Sequence, residues 1–235
     1  GGTLGAADAV SVNNDDRLGK QLWTGLGEGD PLSLYAAYNE IDEARYIVER
    51  IKTYFEGGHP YQDCAILYRS NAQSRVLEEA LLRSQLPYRI YGGQRFFERA
   101  EIRSSLAYLK LISQRQSDAA FERVVNLPPR GIGDKSVQKI RDRARENQES
   151  LWQAASTLIS SGELTSRATT AVSSFLKLID DLDVATENLD LPHMVQETID
   201  AAGLKPFYER EGGERGQARL ENLEELIAAA ETFDP

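Results

Sequence analysis

The chain is poor in the residues that build disulfide frameworks and metal sites. Its 235 residues include one cysteine, Cys64, and two histidines, His59 and His193, far apart in the sequence. A single cysteine excludes an intrachain disulfide and any site that needs several thiolates. We therefore expect no metal site, and we expect Cys64, which lies in the apolar run 64–68, to be a buried thiol.

Long hydrophobic runs are missing as well. No apolar stretch approaches the ~18 residues that a membrane-spanning helix needs, and no basic segment followed by an apolar one suggests secretion. The composition, 41% hydrophobic and 27% charged, is typical of a globular protein. We expect a soluble, cytoplasmic protein of one large or two small domains, with no membrane partner.

The motifs of nucleotide hydrolysis and covalent catalysis are absent too. The segment from Gly131 to Ser136 resembles a P-loop, but its lysine does not directly follow the second glycine, and two prolines rather than a strand precede it. The pair Glu78 and Glu79 lies on a predicted amphipathic helix, where carboxylates are more often solvated than catalytic. We predict no catalytic residue and no cofactor in this chain.

Charge is distributed unevenly along the sequence. The net charge is −10, and residues 180–235 contain fifteen acidic and four basic side chains. Residues 126–145 reverse this balance, with six basic side chains against Asp134 and Asp142. The basic residues are Arg130, Lys135, Lys139, Arg141, Arg143 and Arg145. A basic patch in an acidic protein indicates nucleic-acid binding, and the alternative is a solvated helix face.

Hydrophobic periodicity predicts two architectures. Three short apolar runs, residues 32–37, 64–68 and 88–91, are typical of strands, and helical spacing separates them. Strands alternating with helices indicate βαβ units and a parallel sheet, so residues 1–113 are predicted to form an α/β domain. No strand pattern follows, and residues 114–235 are predicted to form an all-α domain.

Seven further helices are predicted from apolar spacing and from start and stop residues. They lie at about 101–113, 118–126, 134–147, 151–160, 165–182, 191–202 and 217–233. The charged, glycine-rich stretch 209–217 is predicted to be a mobile connection.

The stretch 121–140 carries the clearest functional pattern. It reads helix, Pro-Pro, Gly-Ile-Gly, helix, as in the helix-hairpin-helix element of non-specific DNA binders. Gly131 and Gly133 allow a phosphate to approach the backbone, and the next helix offers free N–H groups. Ile132 would anchor the hairpin, and Asp134 is predicted to be the helix N-cap. Arg130, Lys135 and Lys139 would supply counter-charge. A purely structural tight turn is the alternative.

Four stretches of the sequence carry a family resemblance: DEARYIVERIK (42–52), AILYRSNAQSRVLEEAL (65–81), PYRIYGGQRFFERAEI (87–102) and AFERVVNLPPRGIGDKS (120–136). They resemble the UvrD/Rep/PcrA-type superfamily 1 DNA helicases, and residues 221–226 add a weaker fifth stretch. The resemblance implies a partial RecA-like sheet, domain 2A, in residues 1–113 and most of the helical domain 2B in residues 114–235. The parent protein would be an ATP-dependent 3′–5′ helicase of DNA repair at the nucleoid, with ATP and magnesium bound outside this chain.

The resemblance also implies roles for particular residues. It places Arg95 near the single-strand path, where Phe96 and its neighbour Phe97 would stack on a base or pack within the protein. It places Gly131, Ile132 and Gly133 on the element that grips duplex DNA. Thr165 and Arg167, at the start of another helix, would meet a second phosphate.

Two functions follow from these patterns. In the first, the chain grips duplex backbone at the single-strand/double-strand junction and regulates unwinding. In the second, it is a regulatory protein–protein interaction module with little DNA binding of its own, which suits the acidic C-terminal half and DNA-repair proteins as partners. A helicase-nuclease is a weaker third possibility, because no nuclease carboxylate cluster is present.

Overall fold

A computed structural model describes residues 29–233 and, separately, residue 9. Contacts divide the chain into two compact units, Gly1–Gly57 and Gly58–Pro235. The described part of the first unit contains helix α1 (Glu40–Glu56). Among the described residues, no helix combines the length and hydropathy that a membrane crossing requires.

The start of α1 is fixed by side chains that precede it. Asn39 is the N-cap, and its Oδ1 accepts a hydrogen bond from the backbone N–H of Asp42 at 2.8 Å. The Tyr35 hydroxyl donates to Asp42 Oδ2 at 2.9 Å, and its ring stacks on Tyr46 with centroids 3.8 Å apart. Residues 32–37, predicted to be a strand, therefore form an irregular segment that folds back onto the helix.

The second unit is built from nine helices in its described part. They are α2 (Ser74–Arg83), α3 (Ala100–Ser113), α4 (Asp118–Val124), α5 (Asp134–Asn147), α6 (Leu151–Ser161), α7 (Ser166–Thr186), α8 (Leu191–Ala201), α9 (Leu204–Glu209) and α10 (Gly213–Glu231). Single 3₁₀ turns lie at Tyr61–Asp63, Asn71–Gln73 and Phe96–Glu98. For residues 114–233, the part of the predicted all-α domain that the structure describes, the helical character is as predicted.

The predicted parallel sheet is wrong, because residues 29–233 contain no strand. A strand must pair its backbone N–H and C=O groups with a neighbouring strand, and no such pairing is present within this range. The apolar runs are not buried either: Leu67 is 91% exposed and Tyr91 is 90% exposed. Cys64, predicted to be buried, is half-buried. Short apolar runs do not by themselves specify a strand.

The core lies among α3 to α10. The predicted stripe on α7 is buried, and Phe175 meets Phe121 of α4 edge to face with centroids 5.5 Å apart. Tyr108 and Leu111 fill the same core from α3. Each fully buried side chain of this size contributes about 1.5–3 kcal/mol relative to exposure, so this cluster holds the helices that carry the candidate site.

The segment 209–217 is not the mobile connection that the sequence predicts. Helix α10 begins at Gly213, and Gly216 is buried. A Cβ at Gly216 would lie 2.7 Å from the carbonyl oxygen of Tyr208, a distance that no side chain tolerates. The small residue at this position lets α10 pack closely against the end of α9. The domain limits 1–113 and 114–235 stay a prediction.

Candidate nucleic-acid interface

The Gly-Ile-Gly sequence lies in the hairpin loop, residues 125–133, between α4 and α5. Gly131 has φ +79°, a left-handed conformation that favours glycine. Ile132 is 1% exposed and anchors the loop in the core, as predicted. Gly133 has φ −73° and is the N-cap of α5. A Cβ at either glycine would meet no atom within 4 Å, so the backbone here is open to an approaching group.

Five consecutive backbone N–H groups, from Gly131 to Lys135, donate no hydrogen bond within the described residues. The first bonds of α5 are donated by Ser136 and Val137 to the Gly133 carbonyl, at 2.9 and 3.2 Å. Free N–H groups and the positive end of the helix dipole together favour an anion at this position.

Asp134 is not the N-cap that the sequence predicts. It is the first residue of α5 and is exposed, while Gly133 takes the cap position without a side-chain bond. An acidic residue in the first turn stabilises the helix dipole. Beside a phosphate, the same charge opposes binding.

Arg130 points into the protein rather than away from the loop. Its guanidinium donates to the Tyr108 hydroxyl and to the Ala202 carbonyl, each at 2.8 Å. The Tyr108 hydroxyl donates in turn to the Leu127 carbonyl at 2.7 Å. Burial raises the pKa of Tyr108, against the hydrogen bond and charge of Arg130. Tyr108 and Arg130 therefore hold the hairpin loop in position, and no local pattern indicates this role for Tyr108.

Acidic residues outside the basic stretch neutralise part of it. Arg141 makes two bonds to Glu122, at 2.6 and 2.5 Å, and Arg143 pairs with Glu149 at 3.1 Å. Arg145 pairs with Asp142 at 3.4 Å. The sequence count of the patch misses Glu122 and Glu149, because both lie beyond its ends.

The two lysines of the stretch differ from each other. Lys139 donates through its ammonium group to the backbone carbonyl of Glu163, which ties α5 to the turn before α7. Lys135 is exposed and has no hydrogen bond or ion pair within residues 29–233. Lys135 is therefore the cation of the patch that is most available to a ligand.

A cleft joins the hairpin loop to α7. It has a volume of about 670 Å³ and is lined by Arg130 and Gly131 on one side and by Arg167 and Thr170 on the other. The structure thus brings the exposed Arg167 to the same opening as Gly131. Thr165 is the N-cap of α7, and its hydroxyl accepts from the Ala168 N–H at 3.3 Å; it does not line this cleft.

The predicted single-strand residues lie near α2. Arg95 is exposed, with its guanidinium 5.0 Å from the ring centroid of Tyr88. Phe96 is 1% exposed, so packing accounts for its ring. Phe97 is 48% exposed and meets Phe96 edge to face, so it is the ring of this pair that a base can reach.

Sequence reasoning missed a cluster of buried polar side chains, Glu78, Arg99, Glu101 and Asn222, which we term the buried polar junction. Arg99 donates to Asn222 Oδ1 and to Ser74 Oγ, each at 2.8 Å, and Asn222 donates to Glu101 at 2.6 Å. Burial lowers the pKa of the Arg99 guanidinium, and the charges of Glu78 and Glu101 oppose that shift. This junction ties α10 to the start of α3.

Glu78 belongs to this junction, and the prediction that its carboxylate is solvated is wrong. It is buried rather than solvated, and it accepts hydrogen bonds from Ser74 Oγ at 2.9 Å, Phe96 N at 3.1 Å and the Tyr88 hydroxyl at 3.2 Å.

Comparison with known proteins identifies relatives over nearly the whole chain. A family model described as the UvrD-like helicase C-terminal domain matches residues 3–235. The chain is 55% identical to DNA helicase II of Escherichia coli (strain K12) and 50% identical to DNA helicase II of Haemophilus influenzae. It is 38% identical to the ATP-dependent DNA helicase PcrA of Staphylococcus epidermidis. Each match covers 98% of this chain and 32% of the relative, so the chain spans about a third of the length of these relatives.

Proposed function

Since this chain belongs to the UvrD-like helicase C-terminal domain family, we propose that it is the part of an ATP-dependent 3′–5′ DNA helicase that grips duplex DNA at the single-strand/double-strand junction. The parent enzyme would act in DNA repair, in the cytoplasm at the nucleoid. This part would correspond to domain 2B and a portion of domain 2A, and its grip would regulate unwinding.

The observation that carries the proposal is the set of free N–H groups at the exposed residues Gly131 and Gly133 to Lys135. A phosphodiester oxygen that approaches Gly131 would meet several donors and the positive end of α5. Such contacts hold the DNA backbone and carry no base information, as a helicase that moves along any sequence requires.

Side chains around the loop would extend the grip. Lys135 has no competing partner among the described residues and would add one phosphate contact. Arg167 faces the same cleft as Gly131 and would meet a neighbouring phosphate. Ile132 would hold the loop in position through its buried side chain. Arg130 and Lys139 would contribute positive charge while they stay hydrogen-bonded within the protein.

The single strand would pass a different part of the second unit. We place it near Arg95, whose guanidinium is exposed, and near Phe97, which offers a ring face to a base. The ring of Phe96 would support Phe97 from the core.

ATP and magnesium would be bound by other parts of the parent helicase, and hydrolysis of ATP there would supply the free energy for strand separation. Residues 29–233 contain no group of three or more His, Cys, Asp or Glu side chains placed to hold a metal ion.

The ion pairs on α5 support a second function. Arg141, Arg143 and Arg145 are paired with acids, which leaves the patch less positive than its sequence, while residues 180–235 are strongly acidic. A protein partner, such as a DNA-repair protein, would then be recognised by this unit, and DNA contact would be weak.

The substitution Gly133→Val distinguishes the two functions. It places a branched side chain where a phosphate must approach, while the absence of atoms within 4 Å lets the chain fold. Valine is a poorer N-cap than glycine, so stability should fall by up to about 1 kcal/mol. Ser150→Val at the N-cap of α6 is the matched control, because it removes a cap of similar strength away from the loop.

Duplex affinity is measured by titration of labelled DNA of several unrelated sequences, at several salt concentrations, with circular dichroism to check folding. If the loop grips DNA, Gly133→Val weakens binding to all sequences equally and Ser150→Val does not. A folded Gly133→Val variant that binds duplex like the parent chain would leave the interaction-module function as the better explanation.

A further inference from the structure

A second cleft lies on another side of the hairpin loop. It has a volume of about 630 Å³ and opens between the start of α3, the end of α4 and the segment that joins α9 to α10. Pro129 lines both this cleft and the one beside Arg167. Three arginines line it, Arg123, Arg210 and Arg219, against one carboxylate, Glu211.

Arg219 is fixed in place by its surroundings. Its guanidinium donates to Glu211 at 2.9 Å and to the buried Glu101 at 3.5 Å. It also lies 5.0 Å from the ring centroid of Tyr208. These contacts neutralise Arg219 and hold one wall of the cleft rigid, so this residue shapes the cleft and does not supply free charge.

Arg123 and Arg210 supply the free charge. Arg123 is half-buried and has no hydrogen bond or ion pair with any described residue. Arg210 bonds only through Nε, to the Pro206 carbonyl at 3.0 Å, which leaves its two terminal nitrogens available. The planar fork of arginine matches the oxygens of a phosphate.

The rest of the lining is apolar and partly flat. The ring of Phe207 is half-buried and lies at 61° to the ring of Tyr208, with centroids 4.9 Å apart. Leu127 and Pro129 continue this wall. An aromatic face beside two free arginines is the combination that binds a nucleotide unit, with the base on the ring and the phosphate on the cations.

We propose that this cleft binds one nucleotide unit, with its phosphate on Arg123 and Arg210 and its base against Phe207. The unit would come from a DNA single strand or from a free nucleotide, which share this chemistry. An acidic peptide would use the arginines but would leave the ring without a stacking partner. The site is separate from Gly131–Gly133 and does not rest on the role of that loop.

The test uses the whole 235-residue chain with two probes, fluorescein-labelled oligothymidylate and free thymidine monophosphate. The main variant is Arg123→Gln with Arg210→Gln. The matched control is Arg103→Gln, which removes an exposed arginine of α3 that does not line the cleft. Phe207→Leu removes the flat ring while keeping apolar volume. Circular dichroism and the urea midpoint check that each variant folds.

If the site binds a DNA strand, the double variant lowers the slope of log affinity against log salt by about 0.7, the value for one phosphate contact to a single strand. Phe207→Leu weakens binding at least about fivefold through lost stacking. Arg103→Gln changes neither quantity. If the source is a free nucleotide, thymidine monophosphate binding is lost in the double variant while oligothymidylate binding is unchanged.

Three results would overturn the proposal. The first is unchanged binding of both probes in the double variant. The second is an equal loss in Arg103→Gln, which would indicate a general charge effect. The third is binding of a glutamate-rich peptide to the parent chain and not to the double variant, when that peptide displaces neither oligothymidylate nor thymidine monophosphate. If the double variant does not fold, the exposed Arg210→Gln alone decides: it should weaken binding of oligothymidylate or of thymidine monophosphate, and unchanged binding of both probes would overturn the proposal.

The duplex test on Gly133→Val is independent of this result. Gly133→Val should leave the oligothymidylate slope unchanged, because the substitution lies outside the cleft. Failure of the duplex grip and failure of the nucleotide cleft are therefore separable.

Discussion

The hairpin loop and the buried polar junction use the same kinds of residue in opposite ways. In the junction, Arg99 is buried. Its guanidinium donates to two backbone carbonyls and also to the side chains of Asn222 and Ser74. Beside the hairpin loop, in the first turn of α5, Lys135 is exposed and has no hydrogen-bond or ion-pair partner within the described residues. A charge that the fold already satisfies stabilises the structure, whereas a charge that it leaves unsatisfied is available to a ligand.

The comparison also separates residues that the sequence groups together. Arg130 and Lys135 belong to one basic stretch, yet Arg130 is bonded inside the protein and Lys135 is not. The functional surface is therefore smaller than the patch of basic residues and is centred on backbone N–H groups rather than on side chains.

The largest effect is expected for Arg99→Met. This change removes a buried cation and leaves Asn222 and Ser74 each without one hydrogen-bond partner, so the free energy of unfolding should fall by about 3–5 kcal/mol. Urea unfolding followed by circular dichroism measures the change.

The matched control is Arg103→Met, one turn further along α3 and exposed. Its free energy of unfolding should stay within about 0.5 kcal/mol of that of the parent chain. Equal destabilisation by both variants would show that the junction contributes no more than a surface residue does.

Tyr108→Phe tests the link between core and loop. It removes the hydroxyl that donates to the Leu127 carbonyl and accepts from Arg130, so the free energy of unfolding should fall by about 1–3 kcal/mol. Tyr91→Phe, which changes a ring that is 90% exposed, is the control. Duplex affinity of Tyr108→Phe should fall even where the chain is folded, and unchanged affinity would mean that the loop holds its position without this bond.

Lys135→Ala and Arg141→Ala compare a free and a paired cation on the same helix. Lys135→Ala should reduce the salt slope of duplex binding by about 0.9, the value for one phosphate contact. Arg141→Ala should change the slope little, because Glu122 already neutralises that charge. Titrations over a range of salt concentrations give both slopes, and equal reductions would show that the ion pair opens when DNA binds.

The smallest effect concerns an exposed pair at the start of α8. The side chain of His193 and its backbone N–H both bond Asp190 Oδ1, and they lower the pKa of that carboxyl below 3.8. Because the folded pKa is depressed, the stabilisation is fully present above the unfolded pKa and is lost as pH falls through the folded pKa. NMR titration of Asp190 should show the low pKa, and His193→Ala should raise it; an unchanged pKa would contradict the pairing.

Local patterns predicted the helical elements well. The predicted helix over 134–147 coincides with α5, and the helix-hairpin-helix pattern correctly placed the Ile132 side chain in the core. Spacing within one or two turns is set by backbone geometry, so it can be read from neighbouring residues. The apolar run 64–68 contains the same kind of signal but is not a strand, because a strand requires a partner that no local pattern specifies.

The sequence by itself determined most helices of the second unit, the glycines of the hairpin loop and the family resemblance, but it did not predict α9. Only the tertiary structure decided which charges are free. Glu122 lies 19 residues from Arg141, and Asn222 lies 123 residues from Arg99. These partners meet because helices pack through their apolar faces, and the polar side chains that arrive together then either satisfy one another or stay available at the surface.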